Sequence, residues 1–275
     1  MMRLFTDNQL ASQSNSCYGS VTLVGAGPGD PELLTIKGMR AIFEATVLLV
    51  DDLVNPLILQ YASPKVRVIH VGKRGGCIST PQSYIEKLMI SEALNGERVV
   101  RLKGGDPFIF GRGGEEVRRL QELGIQVSVI NGITSGLAAS TALQAPLTDR
   151  DHAVGVLMIT GHSKPGRDET NWVEIGAVAN SAKLTLVIYM GISGVDSIQS
   201  GLMQCMPSNT PVAIVQNASL PNQRIEHGKL SELVCVIEAN QIASPSIIVI
   251  GDVLSGIAQA AGSKGLSSLQ QLRAA

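Results

Sequence analysis

Two glycine-rich stretches hold the residues of this chain best suited to chemistry. The first reads VGAGPGD over residues 24–30, follows an apolar run, and continues into Pro31 and Glu32. Asp30 suits a helix N-cap, Pro31 the first helical position, and Glu32 the positive end of a helix dipole. The loop therefore reads as the opening of a helix, where backbone N–H groups commonly hold phosphate. Its glycines fall at Gly25, Gly27 and Gly29, with Asp30 where a dinucleotide fingerprint needs its last glycine, which argues against NAD. Taken alone, the loop could equally be a tight strand-to-helix turn with no ligand.

The second stretch, VRLKGGDPFIFGRGGEE over residues 100–116, is the more informative. An apolar strand delivers Gly104, Gly105, Asp106 and Pro107 at its carboxyl end, and Gly113 and Gly114 precede a helix. Ligands of open α/β sheets bind at that end of the strands. Five glycines in one loop cost more backbone entropy than a structural turn requires, since one or two usually supply its geometry. That excess points to a ligand.

Elements able to position these loops recur along the chain. β-rich runs at 21–24, 47–50, 66–71, 99–102 and 127–130 alternate with helix-like segments. One segment spaces Leu33, Ile36, Met39, Ile42 and Phe43 helically, and another spaces Val117, Leu120 and Leu123 before a stopping Gly124. Such alternation predicts a largely parallel sheet covered by helices. A small-residue stretch at 131–142 precedes a second series at 154–159, 184–189, 212–215 and 247–250, with a hairpin expected around Arg224 to Gly228. The expected organisation is an α/β domain over 19–132 and an α+β domain with a mixed sheet over 133–262, flanked by disordered tails at 1–18 and 263–275. No fixed-period repeat is present.

Composition narrows the function classes. Aliphatic residues must build the core, because only 3% of the chain is aromatic while 44% is hydrophobic. A net charge of −1 argues against bulk affinity for nucleic acid or membranes. Cys17, Cys77, Cys205 and Cys235 form no Cys-x-x-Cys pair, and His152 and His162 lack ligand spacing, so neither a metal nor a disulfide framework is expected. No apolar run is long enough to span a bilayer and the amino-terminal segment lacks a signal-peptide core, so the expected location is the cytoplasm.

The motifs VGAGPGDPELLT, VGKRGG, VVRLKGGDPFIFGRGGEE, PLTDRDHA, ITGH, YMG and TPVAIVQNA stand in an order that resembles the uroporphyrinogen-III branch of the tetrapyrrole methyltransferases, over roughly residues 20 to 255. The resemblance implies a two-domain tetrapyrrole methyltransferase fold with a trough between the domains, a homodimer, and S-adenosyl-L-methionine as methyl donor, released as S-adenosylhomocysteine. It places cofactor contacts at Pro28, Gly104, Gly105, Asp106, Ile109, Thr134, Ser135, Met190, Ala213 and Ala218. Met190 could line the adenine or could equally be core packing.

The implied activity is C-methylation of uroporphyrinogen III at two ring carbons to give precorrin-2, with a separate dehydrogenase and chelatase for later steps. A macrocycle with eight carboxylates should meet cations, and Lys73, Arg74, Arg101, Lys103, Arg112 and Arg150 are candidates. Arg112 lies among glycines with no packing reason for a long cation, whereas Arg101 alternates within a strand and could simply face solvent. The resemblance points to Asp51 as proton acceptor and Lys73 as proton donor, with Arg112, Glu115 and Arg150 as a second set that orients the substrate carboxylates or assists proton removal. Asp51 could equally cap the following turn, and Glu115 could be a helix N-terminal charge.

Two departures from the family pattern bear on the substrate. Asp51-Asp52 stands where Asp-Arg is usual, and Asp149-Arg150-Asp151-His152 where His-Arg-Asp-Tyr is usual. They leave two alternatives open, a methyltransferase of the same fold acting on a later corrin precursor, and a non-catalytic homologue that retains the cofactor pocket.

Overall fold

The computed structural model describes residues 18–72, 80–162 and 170–255. The expected tails, Tyr18 excepted, lie outside the described residues, as do Lys73 and Arg74. Contacts group the chain into two compact units. One holds the described residues up to Ala26 together with Leu34–Gly132; the other holds Gly27–Leu33 together with the described residues from Ile133 onward.

The first unit is built on five parallel strands, β1 (Ser20–Gly25), β2 (Val47–Val50), β3 (Arg67–His70), β4 (Arg98–Lys103) and β5 (Gln126–Ile130), in the order β3-β2-β4-β1-β5. Helices α1 (Ile36–Glu44), α2 (Gln82–Leu94) and α3 (Gly113–Glu122) cover it. Val21, Leu23 and Val99 pack with Ile85 and Met89 of α2 and Leu120 of α3; Val24, Leu48, Val100 and Leu102 pack with Ile42 of α1. Because both faces are covered, a central strand such as VLLV of β2 is buried throughout and shows no polar alternation. Each such Leu or Ile contributes about 1.5–3 kcal/mol by leaving water. α3 ends where expected: Gly124 takes φ +70°, a left-handed position that favours glycine, and Ile125 N–H closes onto Leu120 O at 3.1 Å.

The second unit contains α4 (Ser135–Leu143), β6 (Gly155–Thr160), α5 (Trp172–Ser181), β7 (Leu184–Tyr189), α6 (Val195–Leu202), β8 (Pro211–Gln216), β9 (Arg224–Lys229), α7 (Leu233–Ala239) and β10 (Ser246–Ile250). Its sheet runs β6-β7-β10-β8-β9, with β6 and β7 parallel and the remaining pairs antiparallel. It is the mixed sheet expected from the sequence. One face packs Leu186, Ile188, Ile214 and Ile248 against Trp172, Ile198 and Leu233; the other packs Val187, Tyr189, Ala213 and Val249 against Ala138, Ala139 and Leu143 of α4.

Two local expectations are corrected. Asp30 caps only a single 3-10 turn, Pro31–Leu33, through its carboxylate and the Glu32 N–H at 2.9 Å. The α-helix begins later, because the Thr35 hydroxyl accepts the Gly38 N–H at 3.0 Å and sets a new cap. The hairpin expected around Arg224 to Gly228 is present: those residues belong to β9, which pairs antiparallel with β8 across a connection over residues 217–223. Arg101 does not face solvent; it is 2% exposed, because β4 is a central strand whose Val99 face is covered by α2 and α3.

Candidate active site

In the first unit the carboxyl ends of β1, β4 and β5 meet almost backbone to backbone. A β-carbon on Gly25 would lie 2.6 Å from Gly105 O, and one on Gly132 would overlap that same oxygen. Gly105 itself has φ +67°. The glycine density of the second motif has a packing cause: a β-carbon on Gly104 would meet Leu53 Cβ at 2.7 Å, on Gly111 Pro107 O at 2.7 Å, and on Gly113 Pro107 O at 2.5 Å. A β-carbon on Gly114, by contrast, would meet nothing within 4 Å. The expectation that one or two glycines suffice for structure therefore fails, because the loop folds back on its own Pro107 carbonyl and packs against Leu53.

Asp106 ties this junction together. Its Oδ1 accepts the Phe108 N–H at 2.8 Å, and its Oδ2 accepts the Gly132 N–H at 3.1 Å and Asn131 Nδ2 at 3.2 Å. The carboxylate thus holds its own loop to the end of β5. Beyond it Phe108, Ile109 and Phe110 all present exposed apolar side chains. Arg112 takes φ +58° at the start of α3, and its guanidinium bonds Glu115 at 2.6 and 3.2 Å with both side chains half exposed. The hydrogen bonds that the guanidinium donates to the Glu115 carboxylate raise the Arg112 pKa above its ordinary value.

Asp51, just past β2, accepts the Asp52 N–H at 3.1 Å and lies 3.5 Å from Arg101. Beneath it runs a buried chain of charge. Arg101 donates to Leu49 O and Leu102 O and lies 3.5 Å from Glu116; Glu116, wholly buried, lies 3.1 Å from Lys103 Nζ and accepts from Gln82 at 3.0 Å. Burial pushes the Lys103 pKa down, with Glu116 opposing. Glu116 and Gln82 escaped sequence reasoning. A signal existed, since Glu116 sits four residues before Leu120 on the stripe of α3 that also buries Gly113.

In the second unit the GPGD segment docks on the β8–β9 connection. Asp30 N–H donates to Ser219 Oγ at 3.0 Å, and Gly29, at φ +149°, leaves room for Leu220, whose Cγ would lie 2.7 Å from any β-carbon there. Pro28 is partly exposed between them. Thr134 occupies the N-cap position of α4 without a side-chain cap bond and is buried, and Ser135 opens the helix. Met190 follows β7 at φ +54° and is 45% exposed, so it is not core packing. Ala213 is enclosed within the sheet, and Ala218 is nearly buried beside it. Arg150 is exposed in a turn that Asp149 organises by accepting from Asp151 N–H at 2.9 Å and from His152 N–H at 3.0 Å. Those bonds and the pairing with the His152 ring hold the Asp149 pKa below the usual carboxylate range. Lys73 lies outside the described residues.

Residues 20–234 match the Tetrapyrrole (Corrin/Porphyrin) Methylases. The chain is 49% identical over 240 residues to a uroporphyrinogen-III C-methyltransferase of Pseudomonas aeruginosa, covering 87% of this chain and 96% of that protein. It is 44% identical over 248 residues to siroheme synthase 2 of Yersinia pestis bv. Antiqua, covering 90% of this chain but 51% of that longer protein. Among solved structures, a uroporphyrin-III C-methyltransferase from Thermus thermophilus complexed with S-adenyl homocysteine superposes with a TM-score of 0.72 at 36% identity, over 86% of this chain and 93% of that one. A family signature across most of the chain, together with near-full-length relatives, establishes that the chain belongs to the tetrapyrrole (corrin/porphyrin) methylases.

Proposed function

We propose that this chain transfers methyl groups from S-adenosylmethionine to two ring carbons of uroporphyrinogen III, yielding precorrin-2. The observation that carries the proposal is the 49% identity to a uroporphyrinogen-III C-methyltransferase over almost its whole length. The Thermus relative, solved with the demethylated cofactor, supports the donor.

The residues present fit that donor. In the first unit, Gly104 and Gly105 offer backbone groups without side-chain obstruction, Asp106 fixes their loop, and Ile109 supplies an exposed apolar surface. In the second, Thr134 and Ser135 offer polar groups at a helix start, Met190 an exposed thioether and Pro28 a small wall, whereas the buried Ala213 and Ala218 support the site from within the core. The sulfonium of the donor already carries the activated methyl, so the protein's task is chiefly alignment.

Attack by a pyrrole carbon leaves a cationic macrocycle that must lose a proton. Asp51, a partly exposed carboxylate at a strand's carboxyl end, is assigned as acceptor, and Arg101 beneath it holds its orientation. Lys73 is assigned as proton donor. Arg112 and Arg150 bind substrate carboxylates, with Glu115 setting the direction of Arg112. A cytoplasmic homodimer acting with a separate dehydrogenase and chelatase completes the proposal.

The test is anaerobic incubation with uroporphyrinogen III and methyl-labelled S-adenosylmethionine, followed by mass spectrometry. Two added methyl groups support it. Absence of transfer by protein that binds S-adenosylhomocysteine, beside a working control enzyme, would reject uroporphyrinogen III as the substrate.

A further inference from the structure

Thr134 has the extended backbone of an N-cap, with φ −72° and ψ 148°, yet its hydroxyl bonds none of the first amides of α4. It lies instead 2.9 Å from the phenol oxygen of Tyr189, and that oxygen accepts the Gly136 N–H at 3.0 Å. A tyrosine from the end of β7 therefore does the capping that the threonine normally does. The phenol also lies 3.8 Å from Met158 Sδ, and in its bond with Thr134 either hydroxyl can donate. The fit excludes a side chain at the helix start: a β-carbon on Gly136 would overlap the phenol oxygen and lie 2.8 Å from Val187 Cγ1.

Tyr189 also governs the turn that follows it. Its carbonyl accepts the Gly161 N–H at 2.7 Å, its side chain is 6% exposed, and the next residue, Met190, leaves the sheet in a left-handed conformation. One buried side chain thus fixes both the start of α4, with Thr134 and Ser135, and the point where Met190 emerges.

We infer that Tyr189 is a positioning residue for cofactor binding, holding Thr134–Ser135 and Met190 in one fixed relation through its phenol oxygen. The inference rests on the assignment of those three residues to the adenosylmethionine site.

Calorimetric titration of S-adenosylhomocysteine into the wild type, Tyr189→Phe, Gly136→Ala and the double variant tests it, alongside steady-state kinetics. Tyr189→Phe retains the ring but leaves a buried N–H without its acceptor, and is expected to weaken binding about tenfold. KM for S-adenosylmethionine should rise equally, while kcat at saturating donor stays within about twofold and KM for uroporphyrinogen III is unchanged. Gly136→Ala ordinarily favours a helix; here it should weaken binding, and adding Tyr189→Phe should recover part of the loss because the overlapping oxygen is gone. Wild-type protein that binds no S-adenosylhomocysteine would overturn the cofactor assignment itself. Wild-type binding matched by Tyr189→Phe, or a fall in kcat with KM unmoved, would overturn the inference alone. Should Tyr189→Phe fail to fold, wild-type affinity in Gly136→Ala would still overturn it.

Discussion

Replacing Glu116 by Gln removes one buried negative charge at almost constant shape. The side chain is wholly buried, 3.1 Å from Lys103 Nζ and 3.5 Å from Arg101 Nε, and those two cations are only 4% and 2% exposed. Breaking a buried ion pair by removing one partner costs about 3–5 kcal/mol. The new amide can still accept a hydrogen bond where Gln82 now donates at 3.0 Å, which favours the lower end, about 3 kcal/mol. At about 2–4 °C per kcal/mol for a chain of this size, the melting midpoint should fall by roughly 6–12 °C.

The loss should also depend on pH in a definite direction. Burial already holds the folded-state pKa of Lys103 below its ordinary value, and Glu116 is the main influence raising it. Without Glu116 that pKa falls further, so the unfolded chain binds more protons than the folded one over a wider range below the ordinary lysine pKa of about 10.4. Stability of the variant therefore rises with pH, and its deficit is largest near neutrality and shrinks toward that range. Scanning calorimetry across pH measures both effects, and Lys103→Met/Glu116→Gln should recover at least part of the lost midpoint, since removing both partners is far cheaper than removing one. A midpoint shift below about 1 °C, or a deficit that grows with pH, would refute the argument.

Asp106→Ala leaves three donors without their acceptor and should weaken S-adenosylhomocysteine binding by about tenfold or more, with Asp106→Asn losing less; unchanged affinity on titration would contradict its positioning role. Arg112→Ala removes only a surface pair worth about 0–1 kcal/mol, so midpoint and cofactor affinity should hold while methyl transfer falls at least about tenfold. Equal cofactor loss in the Arg112 and Asp106 variants would reject that division of roles. Gly132→Ala forces a β-carbon onto Gly105 O, where only backbone could yield, and should cost about 1–3 kcal/mol or more and weaken cofactor binding; a wild-type melting curve and affinity would show that the junction is looser than described.

Much of the architecture is legible in local patterns. The run VLLV of β2 and its neighbours read as buried parallel strands because uninterrupted aliphatic residues suit a sheet covered on both faces. The end of α3 was readable from Gly124, a residue that takes a left-handed conformation at little cost. Other features were hidden because their partners are distant in sequence. The beginning of α1 depended on which of two competing caps, Asp30 or Thr35, took helical amides, and both have suitable side chains.

By itself, the sequence determined the strand-and-helix alternation, the glycine loops at strand ends and the family to which they belong, because these rest on local periodicity, turn chemistry and ordered motifs. Tertiary structure alone decided what those residues touch. Arg101 is buried because helices cover its face of β4, Gly25 and Gly132 are required because their strand ends converge on the Gly105 carbonyl, and Tyr189 caps a helix that starts far from it in the chain. Periodicity reports which residues seek water or avoid it, whereas burial and hydrogen bonding depend on whatever long-range packing brings to the other side.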